Sequence, residues 1–90
     1  MFLAKVRGTV VSTSKDERLV GFKLLVVHRI GVEGEYVTNP SVAVDTVGAG
    51  VGETVIVTGG SSARFAATRP DAPIDLTIVG IVDTVEIGPA

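Results

Sequence analysis

The chain has 90 residues and a formal net charge of −2, with 8 basic against 10 acidic side chains. This balance argues against nucleic-acid binding, which depends on neutralising phosphates with basic side chains. Cysteine is absent and histidine occurs once, so disulfides, thiolate metal sites and cysteine nucleophiles are excluded. We therefore expect neither a metal nor a cofactor.

Apolar residues make up 46% of the chain. We expect a single domain over residues 1–90, and a domain of this size cannot hide so much apolar surface in its own interior. Other copies of the chain are expected to cover the remainder. The apolar run Leu24–Val27 is far too short for a membrane helix, and charges at Lys5 and Arg7 are unlike a signal peptide. These features predict a cytoplasmic homo-oligomer with no membrane partner.

The spacing of apolar residues predicts an all-β fold. In the first strand Ala4, Val6, Gly8 and Val10 alternate with polar residues and should share one face. The predicted strands cover residues 2–14, 19–30, 41–45, 54–58 and 75–87. Such β-branched strands have exposed edges, which closure into a small five-stranded barrel removes.

Three details refine this prediction. Burial on both faces is expected for Leu24–Val27, because its apolar residues are continuous. Gly31–Pro40 is typical of a loop or loose hairpin tip. A bulge is expected near Gly80, where the alternation of the last strand slips.

One short helix is predicted over Ser61–Ala67, between the fourth and fifth strands. Alanines favour it, Ser61 or Ser62 could cap its start, and Pro70 and Pro73 follow its end.

Glycines punctuate the stretch between the third and fourth strands. The third strand ends at Asp45, Gly48, Gly50 and Gly52 follow at every second position, and Glu53 begins the turn into the fourth strand. Glycine at such density indicates positive φ angles or close approach of another backbone. The spacing superficially resembles a dinucleotide-binding fingerprint, but that motif needs a helix where a strand follows here.

A hydrolytic triad is also possible from residue types alone, with His28, Ser61 or Ser62, and an aspartate. The G-x-S-x-G context of such nucleophiles is missing, so capping serines and a surface or interface histidine are favoured. Carboxylates at strand ends commonly accept backbone N–H bonds or pair with arginine, for which Arg64 is available. The candidate aspartates are Asp45, Asp75 and Asp83.

Three ordered blocks resemble the EutN/CcmL family of bacterial microcompartment vertex proteins. They are Asp45–Val55, Gly60–Arg64, and Pro73–Asp75 with Ile78–Asp83. Residues of the first half agree as well, namely Ala4–Val6, Gly8, Thr13, Lys15, Gly21 and Lys23–Val27. Departures from the family pattern are small: Leu76–Thr77, His28–Arg29 and the 31–40 loop.

The resemblance implies an OB-like barrel, with pentamers closing the vertices of a protein shell beside hexameric shell proteins. It implies a structural role without catalysis. The candidate residues for assembly or for a pore loop are Asp45, Gly48, Ala49, Gly50, Gly52, Glu53, Ser61, Ser62, Ala63, Arg64, Asp75 and Asp83. The alternatives are an OB-like binding module for nucleic acid or oligosaccharide, which needs a basic or aromatic groove, and a small hydrolase using Ser61 or Ser62.

Overall fold

A computed structural model describes residues 1–89. Its strands are β1 (Phe2–Val10), β2 (Lys23–Ile30), β3 (Ser41–Asp45), β4 (Thr54–Gly59) and β5 (Leu76–Val82). A single turn of 3-10 helix spans Glu17–Leu19, and the helix α1 spans Gly60–Ala66.

The strands close into a barrel in the order β1-β2-β3-β5-β4, with β4 pairing back to β1. The pair β3–β5 is parallel and the other pairs are antiparallel. Closure leaves no open edge along which β-branched strands could aggregate. The predicted five-stranded barrel with one short helix between its last two strands is confirmed.

Alternate residues of the strands fill the barrel interior. Since successive side chains of a strand point to opposite faces, one residue in two faces inward. The buried cluster consists of Ala4, Val6, Leu25, Val27, Ala43, Ala49, Val55, Val57 and Ile78. The interior is therefore a packed core, and surfaces for recognition must lie on the outside.

A second apolar cluster covers part of the outside of the barrel. Small side chains of α1 and of the loop after it pack on β3, and residues near the start of β2 complete the cluster. Its members are Val44, Ala63, Ala67, Ala72 and Ile74, with Leu19, Phe22 and Leu24 packed against them. Leu25 and Val27 thus face the core while Leu24 packs outside, which confirms the expected two-sided burial.

The first two strands are shorter than predicted. β1 ends at Val10 instead of Ser14, and β2 begins at Lys23 instead of Leu19. Leu19 lies in the 3-10 turn, whose acidic and basic residues favour a capped turn over a strand. Between Val6 and Gly8 the pairing with β2 skips a residue, so Gly8 pairs with Val26 and turns outward. The prediction that Gly8 shares the face of Val6 was therefore wrong.

The last strand and the helix also differ at their ends. β5 covers Leu76–Val82, and the segment up to Ile87 is not strand as had been predicted. Val79 is skipped in the pairing of β4 with β5, which confirms the bulge expected near Gly80. The helix is capped by Gly59, without a side-chain hydrogen bond, so the predicted serine cap was wrong. Among residues 1–89, no helix has the length and hydropathy to cross a membrane.

Candidate assembly site

The glycine loop, residues 46–53, joins β3 to β4 and is held by the Asp45 carboxylate. Oδ1 of Asp45 accepts a hydrogen bond from the backbone N–H of Val47 at 3.1 Å, and Oδ2 accepts one from Ala49 at 2.9 Å. Asp45 is buried, and a buried carboxylate needs such donors. Of the two roles expected for the strand-end aspartates, backbone bonding or pairing with arginine, Asp45 has the first.

The far side of the glycine loop is attached to β1. The backbone N–H of Gly52 donates to the Val6 carbonyl at 2.8 Å, and the Val6 N–H donates to the Glu53 carbonyl at 2.9 Å. Oε1 of Glu53 accepts a bond from the N–H of Gly50 at 2.6 Å. Loop geometry is therefore fixed by hydrogen bonds at both of its ends.

Two positions of the loop have positive φ angles, which favour glycine. Gly48 has φ of 77° and Gly52 has φ of 93°, a region that residues with a side chain rarely adopt. Gly50 has no such φ, and a side chain there would instead press on the Glu53 carboxylate. Val47 and Val51 are exposed on the loop, so its outer surface is apolar as well as narrow.

The predicted site residues fall at two separate ends of the barrel. Thr54 pairs with Val82, which places Asp83 at the end that carries the glycine loop. Gly59 pairs with Leu76, which places Asp75 and the start of α1 at the opposite end. The structure thus does not bring Ser61–Arg64 together with the glycine loop within one chain.

Some residues of α1 are buried against the barrel and others are exposed to solvent. Ala63 is buried in the second cluster, and its carbonyl accepts a hydrogen bond from the buried Thr77 hydroxyl at 2.7 Å. Ser61 and Ser62 are exposed. Arg64 forms no ion pair with residues 1–89, where the one salt bridge joins Arg18 to Asp16. Ala49 and Ala63, both proposed from sequence, are core residues and do not reach the surface.

Sequence reasoning missed a polar cluster that fixes the hairpin between β2 and β3. The ring of His28 stacks on Tyr36 with centroids 4.3 Å apart. Its Nε2 lies 2.9 Å from the Thr38 carbonyl, so Nε2 carries the proton and Nδ1 can accept from Arg7 at 3.2 Å. The sequence did offer a signal for this cluster: the rings of His28 and Tyr36 stand on either side of Gly31 and Gly34.

Sequence reasoning also missed an apolar groove beside this hairpin. The groove has a volume of about 550 Å³. It is lined by Met1, Phe2, Leu3, Arg29, Ile30, Gly31, Val32, Val37, Thr38 and Ile56. Alternation in β1 and β4 marks Leu3 and Ile56 as outward-facing, but only the fold shows that they are neighbours.

Two observations concern the metal site and the hydrolytic triad considered from the sequence. Within residues 1–89 no three His, Cys, Asp or Glu side chains are grouped as metal ligands. The hydrogen bonds of His28 go to Arg7 and Thr38, and neither involves Ser61 or Ser62. The structure combines a filled barrel and a fixed loop with apolar residues on its outer surface.

The chain belongs to the EutN/CcmL family. A profile of that family, described as "Ethanolamine utilisation protein EutN/carboxysome", matches residues 1–83. The resemblance seen in the glycine loop and its neighbouring blocks is confirmed.

Relatives from several kinds of microcompartment share the whole fold. The chain is 54% identical to the shell vertex protein PduN of Salmonella typhimurium, covering 93% of this chain and 97% of that protein. It is 48% identical to the carboxysome shell vertex protein CcmL of Thermosynechococcus vestitus, covering 94% and 86%. The solved structure of the GrpN pentameric shell protein from Rhodospirillum rubrum matches with a TM-score of 0.89 and 56% identity, covering 98% and 100%.

These findings confirm the predicted class of protein. Members of the family are shell vertex proteins of bacterial microcompartments, and pentameric shell proteins have the same fold. The chain thus belongs to a family whose members named above are shell proteins of bacterial microcompartments. The binding module and the hydrolase that were left open from the sequence have no counterpart among these relatives.

Proposed function

We propose that copies of this chain form a closed pentameric ring that caps a vertex of a microcompartment shell, with hexameric shell proteins around it. The vertex role and the pentamer are those of the relatives named above. High identity over the full fold supports carrying both over to this chain.

The observation that carries this proposal is the apolar surface left outside the barrel. A closed ring joins two different surfaces of each chain, since the head of one copy meets the tail of the next. Exposed large apolar residues occur on several faces, as such a ring requires. They include Val20, Val32, Tyr36, Val37, Val42, Val47, Val51, Phe65, Ile81, Val85 and Ile87.

The glycine loop has the properties needed near a ring axis, where five copies of one segment must approach each other. Its glycines add no side-chain bulk, and Asp45 and Glu53 hold its shape without help from a partner. A loop that is already ordered loses little conformational entropy on association. We therefore assign to it the contact around the axis or between adjacent subunits.

The role proposed for the chain is structural, with no catalysis of its own. In support, the barrel interior is filled by side chains, and Ser61 and Ser62 lie exposed on α1 without a hydrogen bond to a histidine.

Absolute mass in solution tests the proposed ring. The chain has a mass of 9.3 kDa, so a pentamer has five times 9.3 kDa, or about 46 kDa. Light scattering behind a sizing column, over a range of concentrations, should give this mass. A monodisperse monomer would contradict the proposal.

Replacement of Gly50 by Val tests the role of the glycine loop. The added side chain begins 3.3 Å from Oε1 of Glu53 and should displace that carboxylate from the Gly50 N–H. We expect a folded protein, by circular dichroism, that no longer forms the pentamer. Gly88→Val is the matched control, since a Cβ at Gly88 meets nothing within 4 Å. A normal ring from Gly50→Val would show that the loop is not an assembly contact.

A further inference from the structure

The side chain of Phe65 projects from α1 into solvent. It is 71% exposed, although phenylalanine is among the residues most often buried in cores. The helix itself is well anchored, because Ala63 and Ala67 pack in the second cluster and Thr77 bonds to the Ala63 carbonyl. An exposed aromatic on a fixed helix is a preformed contact, of the kind that dominates the binding energy of interfaces.

The apolar groove is a concave surface whose lining can receive an aromatic side chain. Its walls come from the start of β1, the middle of β4 and the base of the 31–40 hairpin. Exposed apolar residues lie at its rim, including Val32 and Val37. Arg29 already lies over the Phe2 ring, with 4.9 Å from its guanidinium carbon to the ring centroid, and could stack on a second aromatic in the same way.

We propose that Phe65 of one copy inserts into the apolar groove of the next copy, forming the head-to-tail contact of the ring. The occupant of the groove is thus a second copy of this chain. The inference rests on the proposed pentamer and names the surfaces that build it.

Strand order supports a head-to-tail arrangement of these two surfaces. In the barrel β1 is flanked by β2 and β4, and β3 and β5 lie across from it. The groove is lined by residues of β1, β2 and β4, while α1 packs against β5 and β4 and shares the second apolar cluster with Val44 of β3. Phe65 is not among the residues that line the groove of its own chain, so the aromatic side chain that fills the groove is assigned to another copy.

Charge is complementary between the two surfaces. Arg64, next to Phe65, has no ion pair within residues 1–89. The groove is bordered by the hairpin that carries Glu33 and Glu35, and the Glu35 carboxylate occupies the space over Gly31 in the groove wall. Opposite charges at the rim of an apolar contact fix its register and exclude wrong partners.

Introducing a negative charge into each surface in turn tests the two surfaces separately. We expect Phe65→Asp and Val37→Asp each to abolish the pentamer and give folded monomers of 9.3 kDa by light scattering. Both side chains are exposed, at 71% and 41%, so the fold should persist. Val11→Asp is the control: Val11 is 87% exposed, lies outside both surfaces and should leave the ring intact.

Mixing the two monomeric variants gives the sharpest result. The Val37→Asp chain keeps Phe65, and the Phe65→Asp chain keeps its groove, so the pair has one intact contact. An equimolar mixture should form a heterodimer of twice 9.3 kDa, or about 19 kDa, while neither variant dimerises alone. Phe65→Leu should retain the ring, because an apolar side chain still fills the groove.

The outcomes distinguish this inference from the proposed function. Failure of the unchanged chain to form a pentamer overturns both. If the unchanged chain forms a ring and Phe65→Asp does too, the pentamer stands and the Phe65 contact is wrong. A folded mixture that stays monomeric, or loss of the ring in Val11→Asp, also overturns the inference. Should Phe65→Asp fail to fold, Phe65→Ser replaces it under the same criteria.

Discussion

The two ends of the barrel are stabilised by different physical means. At one end, the glycine loop is held by carboxylates that accept backbone N–H bonds, from Asp45 and Glu53. At the other, α1 is held mainly by the packing of small apolar side chains, with one buried bond from Thr77 to Ala63.

The two ends therefore present different kinds of surface to a partner. The glycine loop satisfies its own polar groups, so it is preformed and can serve as a fixed contact. The helix buries Ala63 but leaves Phe65 in solvent, which is unfavourable for an isolated chain. The proposed insertion of Phe65 into the groove of another copy would remove that cost.

Replacement of Asp45 by Ala should have the largest effect on the loop end. It removes the acceptor of two N–H bonds, one of them from the buried Ala49, and we expect a loss of about 3 kcal/mol in unfolding free energy. Urea unfolding followed by circular dichroism measures this loss. Asp83→Ala is the control, because Asp83 is exposed at the same end and its removal should change stability little. Equal effects of the two replacements would show that the Asp45 bonds do not stabilise the loop.

Replacement of Thr77 by Val should have a smaller effect, at the helix end. Shape is nearly conserved, and the Ala63 carbonyl still accepts a bond from Ala67 at 3.1 Å, so we expect a loss of about 1 kcal/mol. Thermal unfolding measures it, with the exposed Thr9→Val as the control. A loss as large as that of Asp45→Ala would mean that the helix end, like the loop end, depends on polar bonds.

Much of the loop end could be predicted from local sequence. Asp45 bonds to N–H groups only two and four residues ahead, and glycines with positive φ follow at once. Interactions this close along the chain leave a readable pattern. The alternation in the first strand likewise placed Ala4 and Val6 on the core face, although the β1 bulge turns Gly8 outward.

The groove could not be predicted, because its walls are distant in sequence. Leu3, Ile30 and Ile56 meet only when β1 pairs with both β2 and β4. The same holds for the His28 contact with Arg7, which depends on strand register. Phe65 was visible in the sequence, but its exposure follows from how α1 packs, and no local pattern fixes that face.

The smallest predicted effect concerns the turn that borders the helix side. Arg18 donates to Asp16 at 2.8 Å, and also to the Asp71 carbonyl in the loop after α1 at 2.6 Å. The side-chain hydrogen bond from Arg18 lowers the pKa of Asp16 from 3.8 to about 2. Because the pKa is lower in the folded state, the contribution is complete above the unfolded value and disappears as pH falls through the folded value.

A pH series on Asp16→Asn measures that contribution. The unchanged chain should unfold at slightly higher urea than the variant near neutral pH, and the difference should shrink between about pH 4 and pH 2. Asp16 is exposed, so solvent screens the pair and the difference is small at every pH. A difference that grew on acidification would mean that the folded state binds the proton more tightly, contrary to the Arg18 contact. Asp16 also accepts a hydrogen bond from the backbone N–H of Arg18 at 2.9 Å, which asparagine would accept less strongly. A difference that did not change with pH would assign the effect to this bond and not to the charge of Asp16.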